Sequence, residues 1–98
     1  MIRQQKTYQP LADFCQVLIS AKRLAIIDAL AGRTMSVKEI SEQTKIRQSN
    51  LSQHLRILKE KGVINSRPSG VSINYFLVNP KIRQLIKELE AVLLSRRK

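Results

Sequence analysis

Residues 47–62 read RQSNLSQHLRILKEKG. Leu51, Leu55 and Leu58 recur at i, i+4 and i+7, which puts them on one face of a helix. The other positions carry Arg47, Gln48, Ser49, Asn50, Ser52, Gln53, His54 and Arg56. These are amides, hydroxyls, an imidazole and guanidiniums, a set rich in paired donors and acceptors. A merely solvated helix face tends to carry Glu and Lys at i, i+4, and that style begins here only at Lys59, Glu60 and Lys61. Gln and Asn can bond an adenine edge twice, Arg can do the same with guanine, and Ser fits either. The chemistry on offer is the reading of base edges by a helix spanning 47–61. A polar surface helix that binds nothing is the competing reading, and the rest of the chain must decide.

The charge balance favours a polyanion. The chain has 98 residues, enough for one domain with a modest core, and a net charge of +11. Solubility alone does not require so much charge, and nucleic acid is a better match than anionic lipid. Residues 1–46 hold seven Lys/Arg and four Asp/Glu, whereas residues 47–98 hold eleven and three. The excess therefore begins with the quoted helix. No apolar run approaches a membrane span, and Met1 to Pro10 lacks the apolar stretch of a signal peptide, so a cytoplasmic protein with no membrane partner is expected. With one cysteine, Cys15, and one histidine, His54, neither an internal disulfide nor a multi-cysteine zinc site within one chain is available.

Several elements must position the polar helix. Residues 1–9 are polar, without a period, and are expected to fray, as are residues 95–98. From Pro10 a helix over 10–20 is predicted, with Leu11, Phe14, Cys15 and Leu18 on one face. A second helix around Leu24, Ile27 and Leu30 ends at Gly32, although its join to the first has no strong breaker. Ser36 and Glu39 form an [ST]-x-x-E capping box that starts a short helix ending near Thr44, with Val37 and Ile40 inward. Gly62 closes the polar helix. The period then changes to 2: Val63 to Ser66 is a predicted strand, Arg67-Pro-Ser-Gly70 a turn, and Val71 to Val78 a second strand with Ile73, Tyr75 and Leu77 on a mostly buried face. Asn79-Pro80 opens a last helix over 80–94, where Ile82, Leu85, Ile86, Leu89, Val92 and Leu93 recur at three- and four-residue spacing. The expected fold is mostly α with a β-hairpin, a single winged helix-turn-helix domain over 1–98.

At these residues the sequence resembles the ArsR family of bacterial and archaeal winged-helix transcriptional repressors. The resemblance runs over roughly residues 17–78. It rests on KRLAIIDAL, on SVKEISEQT as the positioning helix, and on RQSNLSQHLRILKEKGVI as the recognition helix with its exit. Ser49-x-Leu51-Ser52-x-His54-Leu55 carries most of the specificity, with Leu58, Gly62, Gly70 and the Tyr75-Phe76 pair. The resemblance implies a homodimer on double-stranded DNA, with the first and last helices across the two-fold and each recognition helix in a major groove. By position, Gln48, Ser49, Asn50, Ser52, Gln53, His54 and Arg56 would face DNA. Arg67 to Ser72, including Ser69 and Gly70, would form the wing. Lys59 is placed with this DNA-facing set, and Ser36 and Lys38 with the DNA backbone.

Departures from the family pattern narrow the expectation. Metal-sensing members carry Cys-x-Cys in the positioning helix, or His and acidic ligands in the last one. Here the first location reads Met35-Ser-Val-Lys-Glu-Ile40, and the last helix has only Glu88 and Glu90, two apart and so on different sides. No metal and no cofactor are expected, and any small-molecule effector is unknown. The turn position often filled by Gly is Lys45. The cap often filled by Ser is Arg47, a poor cap costing about 1 kcal/mol against Ser, but one that places a positive charge beside the groove, where it is read as a phosphate contact.

His54 has Asn50, Leu51, Ile57 and Leu58 at i±3 and i±4, so it lacks a metal partner and is read as a DNA contact or a structural residue. No constellation for catalysis converges there, and no enzyme is expected. Cys15 is read as a small core residue, with a thiol near the dimer axis as the alternative. The apolar face of the last helix, with Leu11, Phe14 and Leu18, exceeds what one small protomer needs to cover, which favours a dimer core. Competing functions are an architectural or RNA-binding basic protein, against which the amide-rich face argues, and a winged-helix protein-interaction module, against which the charge argues.

Overall fold

The computed structural model describes residues 4–96. Helix α1 spans Gln5–Cys15 and runs into a 3-10 turn at Gln16–Leu18; α2 spans Ala21–Ala29; a short strand β1, Met35–Ser36, leads into α3, Val37–Thr44. Helix α4 spans Gln48–Glu60, strands β2 and β3 span Ile64–Ser69 and Ser72–Leu77, and α5 spans Lys81–Ser95. The strands form one antiparallel sheet in the order β1-β3-β2. Five helices with a small sheet, whose β2–β3 hairpin follows the α3–α4 pair, make a winged helix-turn-helix.

The core is built by α2, α3, α4 and the base of the sheet. Ile26, Ile27, Leu30, Ile40, Leu51, Leu58 and Ile64 are essentially without solvent contact. At about 25 cal/mol per Å² of apolar area, this cluster supplies the main driving force holding α3 and α4 together. The predicted capping box is present: Ser36 Oγ accepts from Glu39 N–H at 3.2 Å, and Ser36 N–H donates to Glu39 Oε1 at 2.9 Å. The turn between α3 and α4 is tied by side chains. Ser41 Oγ donates to the Ile46 carbonyl at 2.6 Å, and Thr44 Oγ1 to the Ile40 carbonyl at 2.7 Å. Lys45, at the expected Gly position, adopts φ 64°, the left-handed conformation that lets the chain turn back so sharply.

Several boundaries differ from expectation. Helix α1 begins at Gln5, not at Pro10, and Pro10 lies inside it. Residues 5–9 are all exposed, so they show no apolar period, yet Gln and Lys are good helix formers. Residues 1–3 and 97–98, part of the segments expected to fray, lie outside the described residues, while Ser95 is still helical. The helix expected over 10–20 stops at Cys15, and the unresolved join is settled by Ser20, whose Oγ accepts the Arg23 N–H at 3.2 Å to start α2.

The hairpin differs most. The turn expected at Arg67–Gly70 is strand up to Ser69, which pairs with Ser72 across the two-residue loop Gly70-Val71. Gly70 has φ 60° and Val71 does not share a positive φ, the pattern of a type II′ turn. Pro68 sits inside β2, opposite Ile73. It is tolerated because β2 is the edge strand. The expected buried face of β3 is only half-buried at Tyr75 and Leu77, and Ile73 is 51% exposed, because the hairpin extends beyond the helices. At the other end, Asn79 Oδ1 accepts from Lys81 N–H at 3.0 Å, opening α5 one residue later than expected.

The two terminal helices contribute no fully buried residue. Phe14, Leu18, Ile82 and Ile86 pack partly on the core. Leu11, Leu85, Leu89, Val92 and Leu93 remain 42–68% exposed. Cys15 is also exposed, which corrects its reading as a core residue: it falls on the outer side of α1, while Phe14 takes the inward position. No helix among the described residues is long and apolar enough to cross a membrane.

Candidate nucleic-acid interface

Burying Leu51, Leu55 and Leu58 aims the opposite side of α4 outward. Ser49, Gln53 and Arg56, spaced i, i+4, i+7, form the crest of that side, with Asn50 and Ser52 flanking it. All five are exposed, as are Arg47 and Gln48 at the helix start. Arg47 is the N-cap and its side chain makes no capping bond, as expected for Arg. The first-turn N–H groups of α4 thus lack a side-chain acceptor and carry the positive end of the helix dipole. Lys38 is exposed on α3. Ser36 is half-buried; its N–H and a lone pair of its hydroxyl are committed to the capping box, leaving the O–H proton free to donate.

Three elements meet around this crest. A shallow groove lined by Val37, Ser52, Leu55, Arg56, Lys59 and Tyr75 brings together the start of α3, the flank of α4 and the middle of β3. Lys59 Nζ donates to Ser66 Oγ at 2.9 Å, so this lysine braces α4 against β2 with one of its three donors. On the hairpin, Arg67, Ser69, Gly70 and Ser72 are exposed. Arg67, Ser69 and Ser72 share one sheet face with Asn74 and Phe76, from the pairing register. The Arg67 guanidinium lies 4.4 Å from the centroid of the Phe76 ring, its diagonal neighbour across the strands.

His54 stands apart from the rest of the set. It is half-buried on the flank of α4, and its Nδ1 lies 3.5 Å from Arg23 NH1 of α2. Burial, with the positive charges of Arg23 and Lys22 adding to it, lowers its pKa from the usual 6.5. Sequence reasoning gave no role at this surface to Arg23 or Ser66, and named Phe76 only within the Tyr75-Phe76 pair of the family resemblance, not as a partner of Arg67. Each acts through a residue on another element, a pairing that residue type and spacing do not reveal. Among the described residues, no group of three or more His, Cys, Asp or Glu is placed to hold a metal ion.

The comparisons with known proteins agree with this geometry. Residues 20–66 match the family described as bacterial regulatory protein, arsR family. The chain is 37% identical over 76 residues to the HTH-type transcriptional regulator KmtR of Mycobacterium tuberculosis, covering 78% of this chain and 58% of that regulator's length. It is 33% identical over 88 residues to the biofilm growth-associated repressor of Agrobacterium fabrum, covering 90% of this chain and 75% of the repressor. The HTH-type transcriptional regulator Rv0081 of Mycobacterium tuberculosis is 31% identical over 93 residues, which are 94% of this chain and 82% of that protein. Its crystal structure superposes with a TM-score of 0.82, covering 96% of this chain and 98% of that one. A helix-turn-helix with an exposed amide-rich crest, a hairpin wing beside it, and relatives at 31–33% identity matched over 75–82% of their length place this chain in the arsR family of bacterial regulatory proteins.

Proposed function

We propose that this protein is a dimeric, sequence-specific double-stranded DNA-binding regulator of transcription, acting as a repressor. Helix α4 enters the major groove, with Asn50, Ser52, Gln53, Arg56 and Ser49 reading base edges and Arg47 and Gln48 meeting the flanking phosphates. The hairpin lies along the neighbouring backbone through Arg67, Ser69, Gly70 and Ser72. The observation that carries this reading is the outward crest of α4: short amides and hydroxyls at helical spacing, on a helix held by the core beneath and by Lys59 beside it. Phosphate binding alone would be served by Lys and Arg. Repression is the activity named for the Agrobacterium relative, and a regulator that reads DNA in this way has no need of a catalytic site.

The dimer follows from uncovered apolar area. Leu85, Leu89, Val92 and Leu93 on α5, with Leu11 on α1, are exposed in the single chain, beside an open groove lined by Phe14, Val63, Ile82 and Leu85. A second copy would cover both, with Cys15 brought near the two-fold. One α4 reads only a few base pairs, and pairing two multiplies discrimination against competing sites. The two-fold then appears in the DNA as inverted half-sites about 34 Å apart. Selecting bound fragments from genomic DNA, with sedimentation of the free protein, tests this directly. Inverted repeats and a dimer are expected. Equal affinity for all fragments would instead make the protein an architectural one, and a monomer bound to an asymmetric site would remove the two-fold.

A further inference from the structure

The side chain of Arg23, on α2, joins the 3-10 turn after α1 to the flank of α4. Its Nε donates to the Val17 carbonyl at 2.6 Å and its NH2 to the Gln16 carbonyl at 3.3 Å. One edge of the planar guanidinium therefore clasps two consecutive carbonyls in the 3-10 turn that ends the α1 arm, the Gln16 carbonyl also accepting the Ile19 N–H at 3.2 Å within the turn. The remaining nitrogen, NH1, points at His54 Nδ1, 3.5 Å away on α4.

We propose that Arg23 is a positioning residue for DNA binding, locking the recognition helix to the α1 arm through His54 and holding that imidazole in its Nε2–H tautomer. The inference rests on the DNA-binding reading above. A guanidinium has donors only, so the ring nitrogen facing it must be the acceptor, and the ring proton must sit on Nε2. His54 then presents a fixed N–H donor on its far side, of the kind a phosphate oxygen accepts. The charged groups acting on His54 are Arg23 and Lys22 of α2, and together with burial they favour the neutral ring. Because the same guanidinium holds Gln16 and Val17, a shift of α1 at the proposed dimer contact is felt at α4 without passing through the apolar core. Lysine cannot replace it: an ammonium is a point donor and lacks the flat fork that grips two carbonyls and a ring at once.

His54 is the single histidine of the chain, so its imidazole nitrogen resonances need no assignment. In the unaltered full chain without DNA, nitrogen NMR should show the Nε2–H tautomer, titrating below 6.5. Arg23→Lys keeps the charge, so the salt slope of DNA binding should stay the same. The tautomer should become mixed, and affinity for a selected fragment should fall roughly tenfold, the scale of one hydrogen bond to a charged group. The double variant Arg23→Lys with His54→Leu should bind no more weakly than His54→Leu alone. A wild-type ring carrying its proton on Nδ1 overturns the proposal, even if Arg23→Lys fails to fold. So does a folded Arg23→Lys protein that binds like the unaltered chain, or losses that add in the double variant. Failure of the unaltered protein to prefer any fragment would count against the DNA-binding reading instead, and the ring tautomer, read without DNA, would still decide the lock.

Discussion

Arg67 and Phe76 face each other diagonally across β2 and β3, with the guanidinium 4.4 Å from the ring centroid. The ring holds a charge on the wing that would otherwise sample many rotamers. Arg67→Ala is expected to weaken binding to specific and random DNA alike and to flatten the salt slope by about one. Phe76→Leu keeps the charge and removes the platform. It should leave the slope unchanged while costing about 0.5–1 kcal/mol in affinity. Fluorescence anisotropy titrations at several salt concentrations distinguish the two.

Reading and holding should separate on α4 as well. Asn50→Ala or Gln53→Ala is expected to cost roughly 1–3 kcal/mol at a selected site and little on random DNA. Equal losses on both would show that the crest of α4 holds DNA without reading it.

The poor cap at Arg47 predicts opposite effects on stability and binding. Arg47→Ser supplies the missing acceptor to the first turn of α4 and should raise unfolding stability by about 1 kcal/mol in urea titrations. It also removes a cation next to the groove, so DNA affinity should fall and its salt dependence become shallower. A gain in both would mean that Arg47 touches no phosphate.

Leu89, 54% exposed on α5, gives a test of the two-fold. Leu89→Asp would bury a carboxylate in the proposed contact, which is costly unless the group protonates or the dimer opens. Sedimentation should show monomers, with tight binding to the selected fragment lost and circular dichroism preserved. A dimer that persists would place the interface elsewhere.

The lowered pKa of His54 sets a sign for pH. The unfolded chain takes up this proton at a higher pH than the folded one, so the contribution is fully present above the ordinary pKa of 6.5 and is lost as pH falls through the folded value. Urea midpoints measured from pH 7.5 down to 5 should decline more steeply for the unaltered protein than for His54→Leu. Identical slopes would mean that the ring is as free to protonate in the folded chain as in the unfolded one.

What the sequence determined by itself is what neighbours along the chain decide. The Leu51, Leu55, Leu58 stripe and the Ser36–Glu39 capping box involve residues within two helical turns, and their chemistry needs no distant partner. The same stripe dictates which side of α4 faces outward, so most of the candidate DNA face was legible before any coordinates. Tertiary structure decided everything that depends on a partner remote in sequence. The strand β1 exists because Met35 and Ser36 pair with Tyr75 and Asn74, and two residues carry no period of their own. Pro68 reads locally as a turn and is strand because β2 lies at the sheet edge. Cys15 looked like part of an apolar face, yet only the direction in which Phe14 packs settles which side of α1 is covered. Arg23 and His54 lie 31 residues apart, and a local pattern contains no signal for that contact. Periodicity specifies which face of an element is apolar; packing alone specifies what covers that face and which polar groups are left at its margin.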